Sequence, residues 1–210
     1  MKRLATVAAA LVLFFACGDP TAPPHAASYA FDFGGDIFRW PADRLPVRFF
    51  ADTRGHMRAL VERALGIWQG KFLYGEFRAV LVDDSTAADV IVLWADSVPP
   101  DVPPDAGTPV FACDGLTNFV FDSTGVALAG PVHAEVGINL GQTFTAGQVA
   151  ACVRRISIHE IGHAIGLLGH SPSPADIMWA NDTTALPSEG DRRTIEVLYH
   201  TAPNITPPPR

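Results

Sequence analysis

Residues 159–170 read His-Glu-Ile-Gly-His-Ala-Ile-Gly-Leu-Leu-Gly-His, and their side chains are suited to metal chemistry. His159 and His163 are four residues apart, so on an α-helix they share one face about one turn apart. Two neutral imidazoles at this spacing bind one Zn²⁺, and Glu160 beside them can act as general base on a zinc-bound water. The pattern therefore predicts two zinc ligands and a catalytic carboxylate on one helix.

Gly166 and His170 point to a third ligand that a straight helix could not supply. If the helix continued through position 170, His170 would lie roughly 16 Å from His159, at about 1.5 Å per residue. Two ligands of one zinc ion lie no more than about 4 Å apart. The chain must therefore leave the helix and fold back, and Gly166 suits the reversal because glycine adopts positive φ at a helix C-terminus.

The motif resembles that of the metzincin metalloproteases, His-Glu-x-x-His-x-x-Gly-x-x-His followed by a methionine in a tight turn. The sequence matches it at His159, Glu160, His163 and Gly166. It departs at the last step, because Gly169 stands at the family's usual third-ligand position and His170 comes one residue later. The resemblance still implies His170 as the third zinc ligand, since a loop can absorb one inserted residue.

The ten residues after His170 resemble the matrixin branch of that family. Met178 is the residue implied for the Met-turn, and it would pack beneath the zinc without binding it. Trp179 stands where matrixins carry Tyr, and both Trp179 and Ala180 would lie along the wall of the substrate pocket. Astacin- and serralysin-like enzymes carry a Tyr at the position of Ala180, so the sequence disfavours those branches.

Hydrophobic periodicity and turn residues predict the elements that must position the motif. Thr145 and Gln148 form a capping-box pattern before the motif helix, and Ser188 can cap the last helix. Strands are expected over 45–50, 77–82, 89–94, 118–122 and 134–140, and helices over 55–70, 145–168 and 187–199.

This order of elements is similar to that of the matrixin catalytic domain. The resemblance implies an α/β (α+β) fold: a twisted, mostly parallel five-stranded sheet with one antiparallel edge strand, an active-site helix, a Met-turn and a C-terminal helix. By order, residues 118–122 would form the edge strand, which in that family pairs with the substrate backbone.

The function that the resemblance implies is zinc-dependent endopeptidase activity on proteins or peptides. One zinc ion would be the catalytic cofactor and Glu160 the general base. Matrixins often bind structural calcium as well, but no residues of this sequence locate a calcium site. We expect a monomer.

The sequence leaves two other interpretations open. In a gluzincin-type peptidase the third ligand is a glutamate on a later helix, and Glu189 and Glu196 lie at suitable distances along the chain. A non-catalytic surface protein could instead hold zinc for binding or structure. The intact Glu160 argues against that second alternative, because structural zinc needs no general base.

Composition limits the classes of partner. The chain has 210 residues, 48% hydrophobic content and a formal net charge of −7. An acidic domain with few charged residues is not expected to bind nucleic acid or anionic lipid through a basic surface. We therefore expect no nucleic-acid partner, and membrane association only through an N-terminal anchor.

Residues 1–17 resemble a bacterial lipoprotein signal. Lys2 and Arg3 precede an apolar run that is too short to span a bilayer comfortably, and the run ends at Ala16-Cys17. Lipidation of Cys17 would anchor an exported protein at the cell surface or in the periplasm. Ordinary secretion is the alternative.

Export also affects the other two cysteines. In an oxidising compartment Cys113 and Cys152 are expected to form a disulfide, although two buried free thiols are the alternative. The predicted organisation is a signal peptide over 1–17, a flexible tether over 18–40, a catalytic domain over 41–200 and a disordered tail over 201–210.

Overall fold

The computed structural model describes residues 26–96, 112–139, 143–181 and 183–208. The predicted signal peptide with Cys17, the first part of the predicted tether and the last two residues lie outside these ranges. No helix within them is long and apolar enough to cross a lipid bilayer.

The described residues form a five-stranded sheet and three α-helices. In chain order these are β1 Val47–Ala51, α1 Met57–Gln69, β2 Ala79–Val82, β3 Val90–Ala95, β4 Cys113–Asn118, β5 Val132–Ile138, α2 Ala146–Ala164 and α3 Glu189–Tyr199.

The sheet is mixed, with strand order β2-β1-β3-β5-β4. The first four strands of that order run parallel to one another, and β4 pairs antiparallel with β5 at one edge. Cys113 lies opposite Ile138 and Asn118 lies opposite His133. The predicted fold class, with one antiparallel edge strand, is confirmed.

The position of the edge strand differs from the prediction. The sequence and the resemblance predict this strand at residues 118–122, but the strand is Cys113–Asn118. Phe121 makes only an isolated antiparallel bridge with Leu128. The apolar alternation around Phe119 and Phe121 predicts the wrong bounds for this strand, because long-range pairing with β5 sets the position and register of β4.

Helices α1 and α2 lie side by side on the sheet. In α1 the buried residues recur at helical spacing and form a single apolar face. Trp68 of that face donates its indole N–H to the Ile158 carbonyl of α2 at 2.8 Å. A disulfide joins Cys113 at the start of β4 to Cys152 in α2, with a Cα–Cα distance of 5.8 Å. The edge strand and the motif helix are thus held together covalently.

Residues 26–40 differ from the flexible tether that the sequence predicts. Phe38 and Trp40 are fully buried. Trp40 donates its indole N–H to the Ala164 carbonyl at 3.0 Å, and the Tyr29 hydroxyl donates to Asp191 at 2.8 Å. The segment has no regular hydrophobic period, so the sequence does not show that its aromatic side chains pack against distant parts of the chain.

The sequence predicts a disordered tail over 201–210, but residues 201–208 pack against the rest of the domain. Ile205 is buried, and the Leu128 N–H donates to the Thr206 carbonyl at 2.9 Å. Asn204 and Ile205 both donate backbone N–H groups to the Ile37 carbonyl. The composition of the tail suggests disorder, but backbone pairing with two other segments gives it a fixed place.

Phe38→Ala tests whether residues 26–40 belong to the folded domain. We expect the free energy of unfolding to fall by about 3–5 kcal/mol, because the substitution leaves a cavity in the core. The matched control is Leu73→Ala, at a side chain 61% exposed, which should change it by less than about 0.5 kcal/mol. Urea denaturation followed by circular dichroism measures both, and equal small effects would contradict the assignment.

Candidate metal centre

Helix α2 delivers the first two histidines of the motif. Its N-terminus carries the predicted capping box between Thr145 and Gln148. Near its C-terminus His159 and His163 are both buried, and their Nε2 atoms are 3.0 Å apart. One helical turn therefore brings two imidazoles together on the face predicted from their spacing.

The helix ends at Ala164, four residues earlier than the sequence predicts, because the chain reverses at Gly166. Gly166 has φ +120°, a conformation that favours glycine. A Cβ at this position would also collide with the Phe38 carbonyl oxygen. The Gly166 and Leu167 N–H groups donate to the His163 and Gly162 carbonyls and close the last turn. The reversal brings His170 back to the helix.

His170 completes a cluster of three imidazoles. Its Nε2 atom lies 3.3 Å from the Nε2 atoms of both His159 and His163. Among the described residues, this is the one group of three or more His, Cys, Asp or Glu side chains that could hold a metal ion. Its two helical members are buried, and His170 is exposed.

Gly169, the residue that makes the loop one longer than the family pattern, packs against the N-terminal segment. A Cβ at Gly169 would lie 2.5 Å from the Ala30 carbonyl oxygen. The neighbouring Leu168 N–H donates to the Phe31 carbonyl at 2.9 Å. The extra residue is thus accommodated by close backbone contact, and only glycine fits there.

The ring nitrogens that face away from the cluster fix the tautomers. Nδ1 of His159 lies 2.7 Å from the Ile177 carbonyl, and Nδ1 of His163 lies close to the Leu167 carbonyl. A carbonyl only accepts hydrogen bonds, so Nδ1 carries the proton in both rings. The unprotonated Nε2 atoms then point at one another, which is the orientation of metal-binding imidazoles.

The residues present fit a zinc ion. Three lone pairs that converge at 3.0–3.3 Å repel one another unless a cation lies between them. Ligand nitrogens about 2.0–2.1 Å from a tetrahedral zinc ion are separated from each other by roughly 3.3 Å. The distances and the neutral imidazole donors therefore match zinc.

Burial keeps the two helical histidines neutral. It lowers the pKa of His159 to about 4, and the neighbouring His170 adds to this effect. Burial also lowers the pKa of His163 well below its usual value, and the adjacent imidazoles act in the same direction. Both side chains are thus held in the form that binds a metal.

Glu160 is held between α2 and the edge strand. Its side chain is 1% exposed, and its Oε2 atom accepts a hydrogen bond from the Thr117 hydroxyl at 2.6 Å. Gly115 lies directly against it, since a Cβ there would be 2.5 Å from the Glu160 Cγ and Oε1 atoms. Sequence reasoning missed Gly115 and Thr117, because their role appears only when β4 is in register beside α2.

Met178 lies beneath the histidine-bearing turn of α2. Its side chain is fully buried, and its sulfur would meet any Cβ placed on Gly162. The Ser171 N–H donates to the Met178 carbonyl at 2.8 Å and closes the loop between them. Met178 is thus buried against the helix that bears the histidines, and its role as the Met-turn residue stays a prediction.

Asp191, which sequence reasoning also missed, fastens this loop to α3. Its buried carboxylate accepts hydrogen bonds from the Ile177 N–H at 2.9 Å, the Ser188 N–H at 2.7 Å and the Tyr29 hydroxyl at 2.8 Å. Burial beside this carboxylate raises the pKa of Tyr29. The sequence predicts Ser188 as the cap of the last helix, and the structure shows a capping box with Asp191 there. Nothing local in the sequence indicates the other partners of Asp191.

A cleft of about 580 Å³ opens beside the histidines. It lies between the end of β4, represented by Leu116 and Thr117, and the returning loop that carries His170. Among the described residues, neither Trp179 nor Ala180 lines this cleft; the first is half-buried and the second exposed. Their role in a pocket wall stays a prediction.

The glutamates considered as alternative ligands have other partners. Arg192 pairs with Glu189 at 2.7 Å and with Glu196 at 2.8 Å on helix α3. Neither carboxylate belongs to the histidine cluster. The gluzincin-type arrangement therefore has no support from the structure.

A mixed sheet with one antiparallel edge strand, a His-Glu-x-x-His helix that ends at glycine, a returning histidine and a buried methionine turn together define the metzincin class. The sequence model of the matrixin family matches residues 39–200, more than three-quarters of the chain. The chain therefore belongs to the matrixins, a family of zinc metallopeptidases, and the predicted resemblance is confirmed. No individual curated protein matches the sequence.

The metal-free protein should lose stability as the pH falls from about 6.5 to about 4. The pKa of His159 is about 4 in the folded chain, against about 6.5 for an unperturbed histidine. Above pH 6.5 both states hold the neutral ring, and below it the unfolded chain binds the proton first.

Thermal melting in the presence of a chelator, followed at several pH values, measures this effect. His159→Gln cannot titrate at this position and should show a shallower fall of the melting temperature over the same interval. Equal slopes for the two proteins would contradict the prediction.

Proposed function

We propose that this matrixin is a zinc-dependent endopeptidase in which His159, His163 and His170 bind the metal and Glu160 is the general base. The convergence of three Nε2 atoms within 3.3 Å of one another carries the proposal. The base lies on the same helix as two of the ligands.

Three imidazoles leave one zinc coordination position open, which is typical of catalytic rather than structural sites. When bound, zinc lowers the pKa of a water toward about 7 and polarises the substrate carbonyl. Proton transfer and substrate binding are carried out by residues of the protein itself.

Glu160 moves the proton. Its carboxylate accepts a proton from the attacking water and returns it to the leaving amine nitrogen. The Thr117 hydroxyl fixes the orientation of the carboxylate through Oε2. Gly115 lets the edge strand approach closely enough for that hydrogen bond to form.

The substrate binds as an additional strand along β4. This strand lies at the end of the sheet, so its outer edge can pair with an extended peptide. Leu116 and Thr117 of β4 line the cleft together with His163 and His170. A peptide paired there passes directly over the proposed metal ligands.

Glu160→Gln tests the mechanism. We expect zinc binding to remain at one ion per chain, while the rate of casein or quenched-peptide cleavage falls by about 10²–10⁴-fold, the usual contribution of a general base. The matched variant His170→Ala removes a proposed ligand and should lose both zinc and cleavage. Metal analysis of the purified proteins and fluorescence assays measure the two quantities.

Three outcomes would contradict different parts of the proposal. Full cleavage by Glu160→Gln would eliminate the proposed base. Undiminished zinc affinity in His170→Ala would place the third ligand elsewhere. A wild-type protein that binds zinc but cleaves nothing, with or without a chelator, would favour the non-catalytic interpretation.

We also propose that the protein is exported and anchored by lipid on Cys17. The basic and apolar leader ending at Ala16-Cys17 supports this, and so does the Cys113–Cys152 disulfide, which suits an oxidising compartment.

Cys17→Ser tests the anchor in a bacterial host. Labelled palmitate should enter the wild-type protein and not the variant, and the variant should leave the membrane fraction. Equal membrane association of the two proteins, without label in either, would contradict lipidation.

A further inference from the structure

Two segments outside the matrixin match fold together beside the cleft. They are residues 26–38, before the match, and residues 201–208, after it. The Ile37 N–H donates to the Asn204 side-chain oxygen at 2.7 Å, and the Asn204 N–H donates to the Ile37 carbonyl at 3.0 Å. The side-chain amide nitrogen of Asn204, Nδ2, also donates to the Gly35 carbonyl at 2.9 Å. The two extensions thus hold each other in place.

The first extension contains a tight hairpin, residues 33–36. Phe33 and Asp36 exchange two backbone hydrogen bonds of 3.2 and 3.0 Å across Gly34-Gly35. Both glycines have positive φ, as the two central residues of a type I′ turn require. Because the backbone of the turn is fixed in this way, the position of Phe33 is fixed with it.

The hairpin faces the proposed catalytic site. Phe33 and Asp36 line the same cleft as His163 and His170, and Ile205 of the second extension lines it as well. The rest of the lining is largely apolar, with Leu116, Phe119, Phe121 and Leu168. Phe119 in turn packs edge-to-face on buried Phe38, with 5.4 Å between ring centroids.

Phe33 contributes little to the core, since its side chain is 73% exposed. A solvent-exposed aromatic ring at the rim of an apolar cleft indicates a binding surface, because its burial by a ligand is favourable in free energy. The cleft volume of about 580 Å³ lies within the range of ligand-binding pockets. What would cover it is the chain that reaches the histidines, the peptide substrate.

We propose that the two extensions form a specificity wall, defined as residues 31–37 and 204–206, which selects a large apolar side chain of the substrate. That side chain, aromatic or branched aliphatic, would lie against Phe33 and between Phe119 and Phe121. The Asp36 carboxylate at the same rim disfavours an acidic residue there. This inference rests on the proposed function, because it assumes that a peptide occupies the cleft.

The test compares peptides that differ at one position, with Phe, Leu, Ala or Glu placed in turn on each side of the cleaved bond. In the wild-type protein one position should favour Phe and Leu over Ala by about 10–100-fold in kcat/KM, the discrimination that an apolar pocket supplies. Phe33→Ala should reduce that ratio by at least about fivefold, and Phe33→Leu should restore most of it.

The matched control is Tyr74→Ala, an aromatic side chain 57% exposed that does not line the cleft. It should leave the ratio unchanged. Melting temperatures of all variants are measured together, and we expect the two Phe33 variants to melt with the wild type. An unchanged ratio at every position in Phe33→Ala would overturn the proposal.

Binding separates failure of this inference from failure of the proposed function. Fluorescence anisotropy of the same labelled peptides is measured on zinc-loaded Glu160→Gln, alone and combined with Phe33→Ala. If the wild type cleaves nothing but the apolar preference in Kd is present and falls with Phe33→Ala, the wall stands and the peptidase activity fails. If peptides bind with no apolar preference, or do not bind, the wall is refuted.

Discussion

The chain reversal at Gly166 is the constraint on which the candidate site depends. Two of the three imidazoles come from one helical turn, but the third lies seven residues after His163 and meets it at 3.3 Å. A continuous helix would carry it away from the other two by 1.5 Å per residue. The helix must therefore stop within one turn of His163, and the Phe38 carbonyl occupies the space that a side chain at position 166 would need. The N-terminal segment and the motif thus fit each other.

Asp191 has a comparable role in positioning the loop that contains Met178. Its carboxylate gathers donors from the methionine loop, from the start of α3 and from Tyr29. Several hydrogen bonds meet on one carboxylate that is buried away from water, so the loss of any one of them is costly. The same loop carries Met178 and the Ile177 carbonyl, which accepts a hydrogen bond from His159. Because Asp191 holds this loop against the domain, motion of the His159 imidazole is limited.

The family core, residues 39–200, and the two extensions outside it both contribute residues to the cleft. The core supplies the helix that bears His159, Glu160 and His163, the edge strand and the methionine loop. The extensions lie outside the family match and contribute Phe33, Asp36 and Ile205 to the rim. Gly169, the inserted residue, lies against the first extension.

The sequence by itself determined what depends on neighbours a few residues away: the helix bearing His159, Glu160 and His163, its capping box, the glycine reversal and the approximate positions of most strands. Periodicity and hydrogen bonds within one turn act over that range, so they can be read from the chain. The tertiary structure decided the register of β4, the burial of Phe38 and Trp40, and the partners of Glu160 and Asp191. Several of these contacts join segments that are distant along the chain, as Glu160 with Thr117 and Asp191 with Tyr29 do. An irregular run or a single aspartate carries no local sign of such a partner.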